Sequence, residues 1–280
     1  MATFGTMHRT HRWLRRLAAL TLVGAMLLAG LVLESRREIA TVKLATLDLA
    51  SDKLGGALRV LQITDTHDQD AARWQQVVAH ARETRPDLIA LTGDVVNTFT
   101  SDYGRLDAFM AELAALQIPT YYVQGNHDHW EGHLPAVTAT LEKHGVTVLA
   151  NNHATLDGAW GNLDVVGTTD YYDSDASLPD AMAGTRPNAF QLVLTHDPGI
   201  VDDLAASGAE LAICGHTHGG QVRLPLIGAL YAPGQGFLPD YDKGLFTVGN
   251  SRLYIDSGAG QTAPLRFLDP AQVTLITLHP

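Results

Sequence analysis

Residues 210–220 read ELAICGHTHGG, a short apolar run that stops abruptly at a cluster of glycines and histidines. Residues 58–68, LRVLQITDTHD, have the same form, and so do the segments at 88–95, 120–126 and 190–196. Continuous apolar runs of this length are typical of strands buried on both faces. Helical patterns separate the first three runs. Strand, polar loop and helix in repetition predict a largely parallel α/β sheet, with the polar clusters at the carboxyl ends of its strands.

The clusters contain side chains that bind metal ions. In chain order they are Asp65-x-His67, Gly93-Asp94, Gly125-Asn126-His127-Asp128, His196 and Gly215-His216-x-His218. Carboxylate, amide oxygen and neutral imidazole together suit divalent metals such as Mn, Fe and Zn. Alternate residues of an extended segment point to the same side. The Asp65/His67 and His216/His218 pairs could therefore each chelate one metal or bridge two neighbouring ones.

These five motifs, spread over about 150 residues, resemble the calcineurin-like metallophosphoesterase superfamily. Two flanking segments, GHTHGGQVRLP at 215–225 and PLRF at 264–267, are similar to its membrane-associated bacterial branch. That branch includes lipid-related phosphodiesterases and UDP-2,3-diacylglucosamine pyrophosphatases. The resemblance implies a four-layer α/β/β/α sandwich with two divalent metal ions. It also implies hydrolysis of a phosphodiester or pyrophosphate bond, with metal-activated hydroxide as the nucleophile.

The resemblance also implies roles for individual residues. The first metal would be held by Asp65, His67 and His218, the second by Asn126, His196 and His216, with Asp94 bridging the two. His127 would contact the phosphoryl group and protonate or stabilise the leaving oxygen. Asp128 would orient the His127 ring. We expect the nearby His129 and His133 to lie at the surface or to support the site rather than to bind substrate.

An uncharged apolar run of about 17 residues, at 17–33, lies near the N-terminus and follows Arg9, Arg12, Arg15 and Arg16. Its length is near the lower limit for a transmembrane helix and exceeds a typical signal-peptide core. The arginines predict a cytoplasmic N-terminus and a catalytic domain outside the cell membrane. No convincing cleavage site follows, and the residues around Arg15-Arg16 match a twin-arginine export signal poorly. We therefore predict a single-pass anchor at 1–39 and a catalytic domain at 40–280.

The net charge argues against a nucleic-acid partner. Residues 1–39 carry six Arg and two Glu, which leaves 13 basic and 28 acidic residues in the predicted domain, a formal charge of about −15. Such a surface repels the phosphate backbone of DNA or RNA. Cys214 is the only cysteine, so no disulfide forms within the chain. Cys214 and Trp74 lie in apolar patterns and are predicted to be core residues.

Three functions remain compatible with the sequence. The first is hydrolysis of a lipid-linked phosphodiester or pyrophosphate, although a lipid A precursor would require a cytoplasmic domain and so conflicts with the arginines. The second is a broad phosphodiesterase or phosphatase outside the membrane, acting on soluble nucleotides or cell-wall fragments. The third is a metal-binding membrane protein without activity. Residues 254–260 lack an Arg that relatives often carry there, which would alter substrate choice. The apolar loop 224–238 either belongs to the folded core or lies against the membrane or an acyl chain, and the upstream anchor favours the second.

Overall fold

The computed structural model describes residues 4–172 and 175–280, with side chains from Trp13 onward, and its core is a pair of six-stranded sheets. The strands of the first sheet lie in the order β1-β16-β2-β3-β4-β5. Their bounds are Lys43–Ala50 (β1), Leu58–Ile63 (β2), Leu88–Leu91 (β3), Thr120–Tyr122 (β4), Thr147–Val148 (β5) and Gln272–His279 (β16). Strand β16 runs antiparallel to β2, and the other neighbours in this sheet are parallel.

The second sheet has the order β14-β15-β9-β8-β7-β6. Its strands span Asn152–Gly158 (β6), Gly161–Gly167 (β7), Phe190–Leu194 (β8), Leu211–Cys214 (β9), Gly244–Val248 (β14) and Ser251–Ile255 (β15). The two hairpins, β6–β7 and β14–β15, are antiparallel, and the three central pairings are parallel. A turn at residues 249–250 joins β14 to β15. Most pairings in the described chain are therefore parallel, as the repeated strand and helix pattern predicts.

The two faces of each strand explain the layers. In β2, Leu58 and Val60 pack between the two sheets, whereas Leu61 and Ile63 face helices on the outside. The outer helices of the first sheet are Ala71–Thr84 (α2), Gly104–Ala114 (α3) and Leu134–Lys143 (α5), and a short helix, Asn126–His129 (α4), follows β4. Short helices Leu178–Met182 (α6) and Val201–Ser207 (α7) cover the second sheet. The result is the predicted α/β/β/α sandwich, in which Cys214 and Trp74 are buried.

The N-terminal helix, Phe4–Ala40 (α1), is longer than the apolar run it contains. Within its segment Trp13–Ala40, an 18-residue window has a mean hydropathy of 2.2, and no described part of the protein buries that window. By length and composition this helix could cross a membrane, and a signal sequence shares the same features. The last turns of α1 pack on the domain, because Ser35 and Glu38 are buried there.

Two small hairpins lie beyond the end of β9. They pair Arg223–Leu224 (β10) with Gly228–Ala229 (β11), and Tyr231–Ala232 (β12) with Gly236–Phe237 (β13). The predicted apolar loop 224–238 is therefore folded backbone. Its large side chains do not join the core, since Leu226, Ile227 and Phe237 are exposed to solvent.

Candidate metal centre

The predicted ligands lie in the loops that follow β2, β3, β4, β8 and β9, at one edge of the two sheets. Backbone hydrogen bonds join these loops to one another. The amide of Asp65 donates to the carbonyl of Gly93, and the amide of His67 donates to the carbonyl of Asp94. The amide of Gly215 donates to the carbonyl of His196 in the second sheet. Between the sheets, the amide of His216 donates to the Asp65 carboxylate, which brings residues from both sheets to one place.

The backbone of these loops is strained at the predicted ligands. Five of them have φ between 49° and 68°, in the left-handed region: Asp65, His67, Asp94, His216 and His218. This conformation is uncommon for residues other than glycine and costs of order 1–3 kcal/mol each. Such strain persists only where surrounding contacts over-determine it, and it clusters at functional sites. The strain turns each side chain toward a common centre.

Four side chains surround the first of two neighbouring spaces. The Nε2 atoms of His67 and His218 are 3.1 Å apart, and both lie within 3.8 Å of Asp65 Oδ1. Asp94 Oδ2 is 3.6 Å from His67 Nε2. All four side chains are buried, so these polar atoms face mainly one another.

The second space adjoins the first and shares Asp94. Asp94 Oδ2 is also 3.3 Å from His196 Nε2. His216 Nδ1 lies 3.3 Å from that same nitrogen and 2.9 Å from Asn126 Oδ1. One carboxylate oxygen thus stands between two clusters of ligand atoms, which is the arrangement expected of a bridging ligand.

These clusters fit divalent metal ions. Metal–ligand bonds of about 2.0–2.2 Å in tetrahedral or octahedral geometry separate neighbouring ligand atoms by roughly 2.8–3.6 Å. The distances above cover 2.9–3.8 Å. Buried His67 Nδ1 and His218 Nδ1 find no hydrogen-bond partner among the described residues, so only Nε2 of each ring faces other polar atoms. Such a concentration of buried polar groups is costly unless something binds them.

The protonation states also suit metal binding. Burial lowers the pKa of His218 to about 3, so its imidazole is neutral at physiological pH. Burial works to raise the pKa of Asp65, but the adjacent His218 and His67 outweigh it and hold that pKa well below its usual range. The pKa of Asp94 is likewise held low by His196, against the effect of burial. Burial works to lower the pKa of His196, but the adjacent Asp94 outweighs it and raises that pKa well above its usual range, so a metal ion bound there would displace a proton. The ionised carboxylates and the neutral His218 are already in the state that metals bind.

Supporting hydrogen bonds fix the ligands in place. His196 Nδ1 donates to the carbonyl of Thr92 at 2.8 Å, which directs Nε2 toward Asp94 and makes Nε2 the nitrogen that would bind a metal. The second oxygen of Asp94, Oδ1, accepts from the amide of His127 at 2.8 Å. His216 Nδ1 is the atom directed at Asn126 Oδ1, and its Nε2 lies 3.1 Å from Asp197 Oδ2 without hydrogen-bond geometry. Bonds of this kind orient metal ligands and raise their basicity.

His127 lies at the centre, but the structure corrects the predicted role of Asp128. Asp128 does not bond to the His127 ring, because its Oδ1 accepts from the amide of Val96 and its Oδ2 from Tyr122 and Gly125. Asp128 therefore shapes the loop. The ring is held by Thr98, whose amide and hydroxyl lie 3.2 and 2.6 Å from His127 Nδ1.

The Thr98 contacts decide the tautomer of His127. The amide of Thr98 can only donate, so His127 Nδ1 is an acceptor and the proton of the neutral ring is on Nε2. Burial lowers the pKa of His127 to about 4, which keeps that neutral form dominant at pH 7. His133 supports the same loop through Tyr103 and the carbonyl of Thr98, in agreement with its predicted supporting position.

A pocket of about 170 Å³ opens over the centre. Besides predicted site residues it is lined by Trp130, Tyr172, Pro233 and Thr262, none of which the motifs identify. The Trp130 ring lies between His127 and Tyr172, with centroid distances of 5.0 and 5.6 Å. Trp130 directly follows the GNHDH stretch, which is the only sequence signal for it. No Lys or Arg belongs to this lining, as far as the described residues go.

The absent Arg of residues 254–260 is not replaced in the pocket by Arg266. Arg266 is completely buried, and its guanidinium donates to the carbonyls of Ser257 and Gly260 and to Asp269. Its donors are thus directed at the protein's own backbone. Arg266 supports the loop beside Asp65, because the amide of Gly260 donates to the carbonyl of Asp65.

Comparison with known proteins identifies the family. Residues 58–220 match the calcineurin-like phosphoesterase family. Phosphodiesterase YaeI of Escherichia coli is 32% identical over 72% of this chain and 73% of its own. The uncharacterized metallophosphoesterase YkuE of Bacillus subtilis is 28% identical over 79% and 78%. In fold, the TT1561 protein of Thermus thermophilus superimposes with a TM-score of 0.52 at 14% identity, covering 72% of this chain and 90% of that one. The chain therefore belongs to the calcineurin-like phosphoesterases, a family of metal-dependent hydrolases of phosphoric esters.

Proposed function

We propose that this protein is a membrane-anchored phosphodiesterase with two metal ions. Asp65, His67 and His218 would hold the first ion and Asn126, His196 and His216 the second, with Asp94 shared between them. The observation that carries the proposal is the position of Asp94 Oδ2, 3.6 Å from His67 Nε2 and 3.3 Å from His196 Nε2. The family supports the two-ion requirement, and the ion itself would be Mn, Fe or Zn.

The residues around the ions have separate tasks in this reaction. Divalent ions held here would offset the charge of the phosphoryl group and lower the pKa of water toward neutrality. His127 carries its proton on Nε2, so it can donate a hydrogen bond to the phosphoryl or the leaving oxygen. Thr98 keeps the ring in that tautomer, and Asp94 Oδ1 holds the His127 backbone. Positioning of this kind removes much of the entropic cost of the reaction.

The pocket favours diesters over monoesters. A phosphomonoester carries about −1.5 to −2 charges at pH 7, whereas a diester carries one. A pocket whose described lining has no Lys or Arg offers only bound ions to offset that charge. The smaller charge of a diester or a linked pyrophosphate group is therefore easier to accommodate. The name of the Escherichia coli relative, a phosphodiesterase, is in keeping with this choice.

A lipid-linked substrate is our first candidate, because α1 would hold the site at a membrane. The four arginines before the apolar run favour the outer side for the catalytic domain. A soluble nucleotide or cell-wall fragment is the second candidate. The observation that favours it is the aromatic wall of Trp130 and Tyr172, since aromatic rings stack well on bases. Comparing hydrolysis of lipid and soluble diesters in detergent distinguishes the two.

The proposal can be tested on the full chain in detergent with bis(p-nitrophenyl) phosphate and Mn²⁺. We expect about two metal ions per chain and turnover that stops on chelation. Asp94→Asn should reduce turnover by more than the roughly 10–100-fold that loss of a ligand-supporting residue causes. The matched control is Asp107→Asn, which changes a surface carboxylate paired with Lys143. Its turnover should equal that of the unmodified protein.

The alternatives predict other results. A metal-loaded protein that hydrolyses no diester in this assay would favour a non-catalytic metal-binding role. Absence of bound metal from the purified chain would contradict the proposed ligands. Faster hydrolysis of p-nitrophenyl phosphate than of the diester would contradict the preference for diesters.

A further inference from the structure

The N-terminal helix joins the domain at the same edge that carries the metal centre. Ser35 Oγ accepts from the amide of Arg266 at 3.1 Å, and Glu38 Oε2 accepts from the amide of Asp269 at 3.2 Å. Arg266 in turn holds the loop beside Asp65. The β14–β15 turn at Asn250 lies at the other end of the strands. A short chain of contacts thus connects the end of α1 to the ligand loops.

An apolar groove of about 510 Å³ separates α1 from the domain just before this junction. The groove is lined mainly by Leu28, Leu31 and Val32 from the helix and by Val222, Pro264, Leu265 and Phe267 from the domain. Leu28 lies six residues before Glu34, or about 9 Å along the helix axis at 1.5 Å per residue. If α1 crosses a membrane, this part of the domain lies at the depth of the apolar run of the helix.

Large apolar side chains extend outward from the same region. Six of them are exposed and belong to two neighbouring segments: Leu226, Ile227, Phe237, Leu238, Leu265 and Leu268. Leu226 is fully exposed and Phe237 is 84% exposed. A group of exposed apolar side chains of this size indicates a binding surface, whereas single exposed residues are ordinary.

We propose that these six residues form a membrane-facing surface that inserts into the lipid leaflet from which α1 emerges. A lipid bilayer is the partner that fits this surface, because one wall of the adjoining groove is the apolar part of α1, which would itself lie in the bilayer. Insertion to about 5–10 Å, as in amphipathic segments at membrane interfaces, matches the depth given by Leu28. The inference rests on the proposed retention of α1 as an anchor. It deepens the proposed function, because the metal edge then faces the bilayer and receives phosphoryl groups of lipids directly.

The charge of the domain indicates how the surface binds. A domain with a formal charge of about −15 gains no electrostatic binding energy from anionic lipids. The contact is therefore apolar, and it persists at high salt and in purely zwitterionic lipid, since screening weakens only charge interactions.

Cys214 makes a direct test possible. It is the only cysteine and is completely buried, so a cysteine introduced at the surface of the folded chain can be labelled selectively. Leu226→Cys and Phe237→Cys place a nitrobenzoxadiazole fluorophore on the proposed surface. Asn250→Cys is the matched control, because it is exposed at the opposite edge. The labelled full chains are placed in phosphatidylcholine nanodiscs and quenched by lipid-borne nitroxide or by aqueous iodide.

We expect blue-shifted emission and strong nitroxide quenching at positions 226 and 237, with iodide quenching only at 250. The same behaviour should be seen in concentrated salt. Equal iodide quenching at all three positions, or a chain that does not remain with the nanodisc, would overturn the proposal. Turnover of bis(p-nitrophenyl) phosphate by the same samples reports on the proposed function separately. Lipid contact without turnover would contradict the proposed phosphodiesterase activity but not the membrane-facing surface. Turnover without lipid contact would contradict only the proposal of a membrane-facing surface.

Discussion

Thr98 determines which nitrogen of the His127 imidazole carries the proton. Two atoms of Thr98 contact Nδ1 of the imidazole, and that nitrogen is thereby kept as an acceptor. The proton on Nε2 is the one available to a leaving oxygen. Asp128, which the sequence suggests for this task, instead binds the backbone of Val96 and Gly125. A residue adjacent in sequence is thus replaced by one about 30 positions away.

Thr98→Val removes one of these two contacts and keeps the shape of the side chain. A hydrogen bond of this type contributes about 0.5–1.5 kcal/mol, so kcat should fall roughly three- to tenfold while KM changes little. The loss should be larger for a diester with an alkyl leaving group than for bis(p-nitrophenyl) phosphate, because p-nitrophenolate leaves without a proton. Thr138→Val, which removes a hydroxyl bonded within α5, serves as control. Equal losses for both leaving groups would indicate a merely structural role for Thr98.

At the scale of elements, the ends of the strands determine the site. Strands β2, β3, β4, β8 and β9 stop at the same edge, and after β2, β3 and β9 residues in left-handed backbone conformations direct the ligands inward. Close approach of the loops also requires glycine. A Cβ atom at Gly215 would collide with Asp65 Oδ2 and Thr64 Oγ1. The glycine therefore preserves the contact between the two sheets at the first metal position.

Gly215→Ala should consequently impair metal binding even if the protein folds. Either the Asp65 carboxylate or the β9 loop must shift, and small displacements of ligands cost much of their affinity. We expect a lower metal content by elemental analysis and turnover reduced in parallel. Gly55→Ala is a suitable control, because the nearest atom to its added Cβ is 3.9 Å away. Unchanged metal content in Gly215→Ala would show that the loops tolerate the extra methyl group.

At the scale of the whole molecule, the metal centre ties the two sheets together. Asp65 and Asp94 follow strands of the first sheet, and His196 and His218 follow strands of the second. An ion bound between them stabilises only the folded state, because these residues are far apart in an unfolded chain. Folding of the sandwich and binding of metal at the centre are therefore thermodynamically linked.

Chelation should lower the midpoint of thermal unfolding. At a free metal concentration about 100 times Kd, bound metal contributes about 2.7 kcal/mol. For a domain of this size that corresponds to roughly 5–10 °C. The comparison is differential scanning calorimetry of the full chain with Mn²⁺ and with excess EDTA. Asp94→Asn should show a much smaller difference, and an equal difference in that variant would place the stabilising ion elsewhere.

The resemblance to the family implied the four-layer sandwich, whereas the local pattern of the sequence determined a largely parallel sheet, the edge at which the polar clusters meet, and the ligand types. It did so because strand and helix periodicity are local properties and the parallel strands bring their carboxyl ends together. The N-terminal apolar helix was also evident from composition alone. Tertiary structure decided that Thr98 holds His127, that Trp130 and Tyr172 line the pocket, and that α1 joins the metal edge. These contacts connect residues distant in the chain, such as Ser35 and Arg266, and no local pattern encodes a distance across the fold.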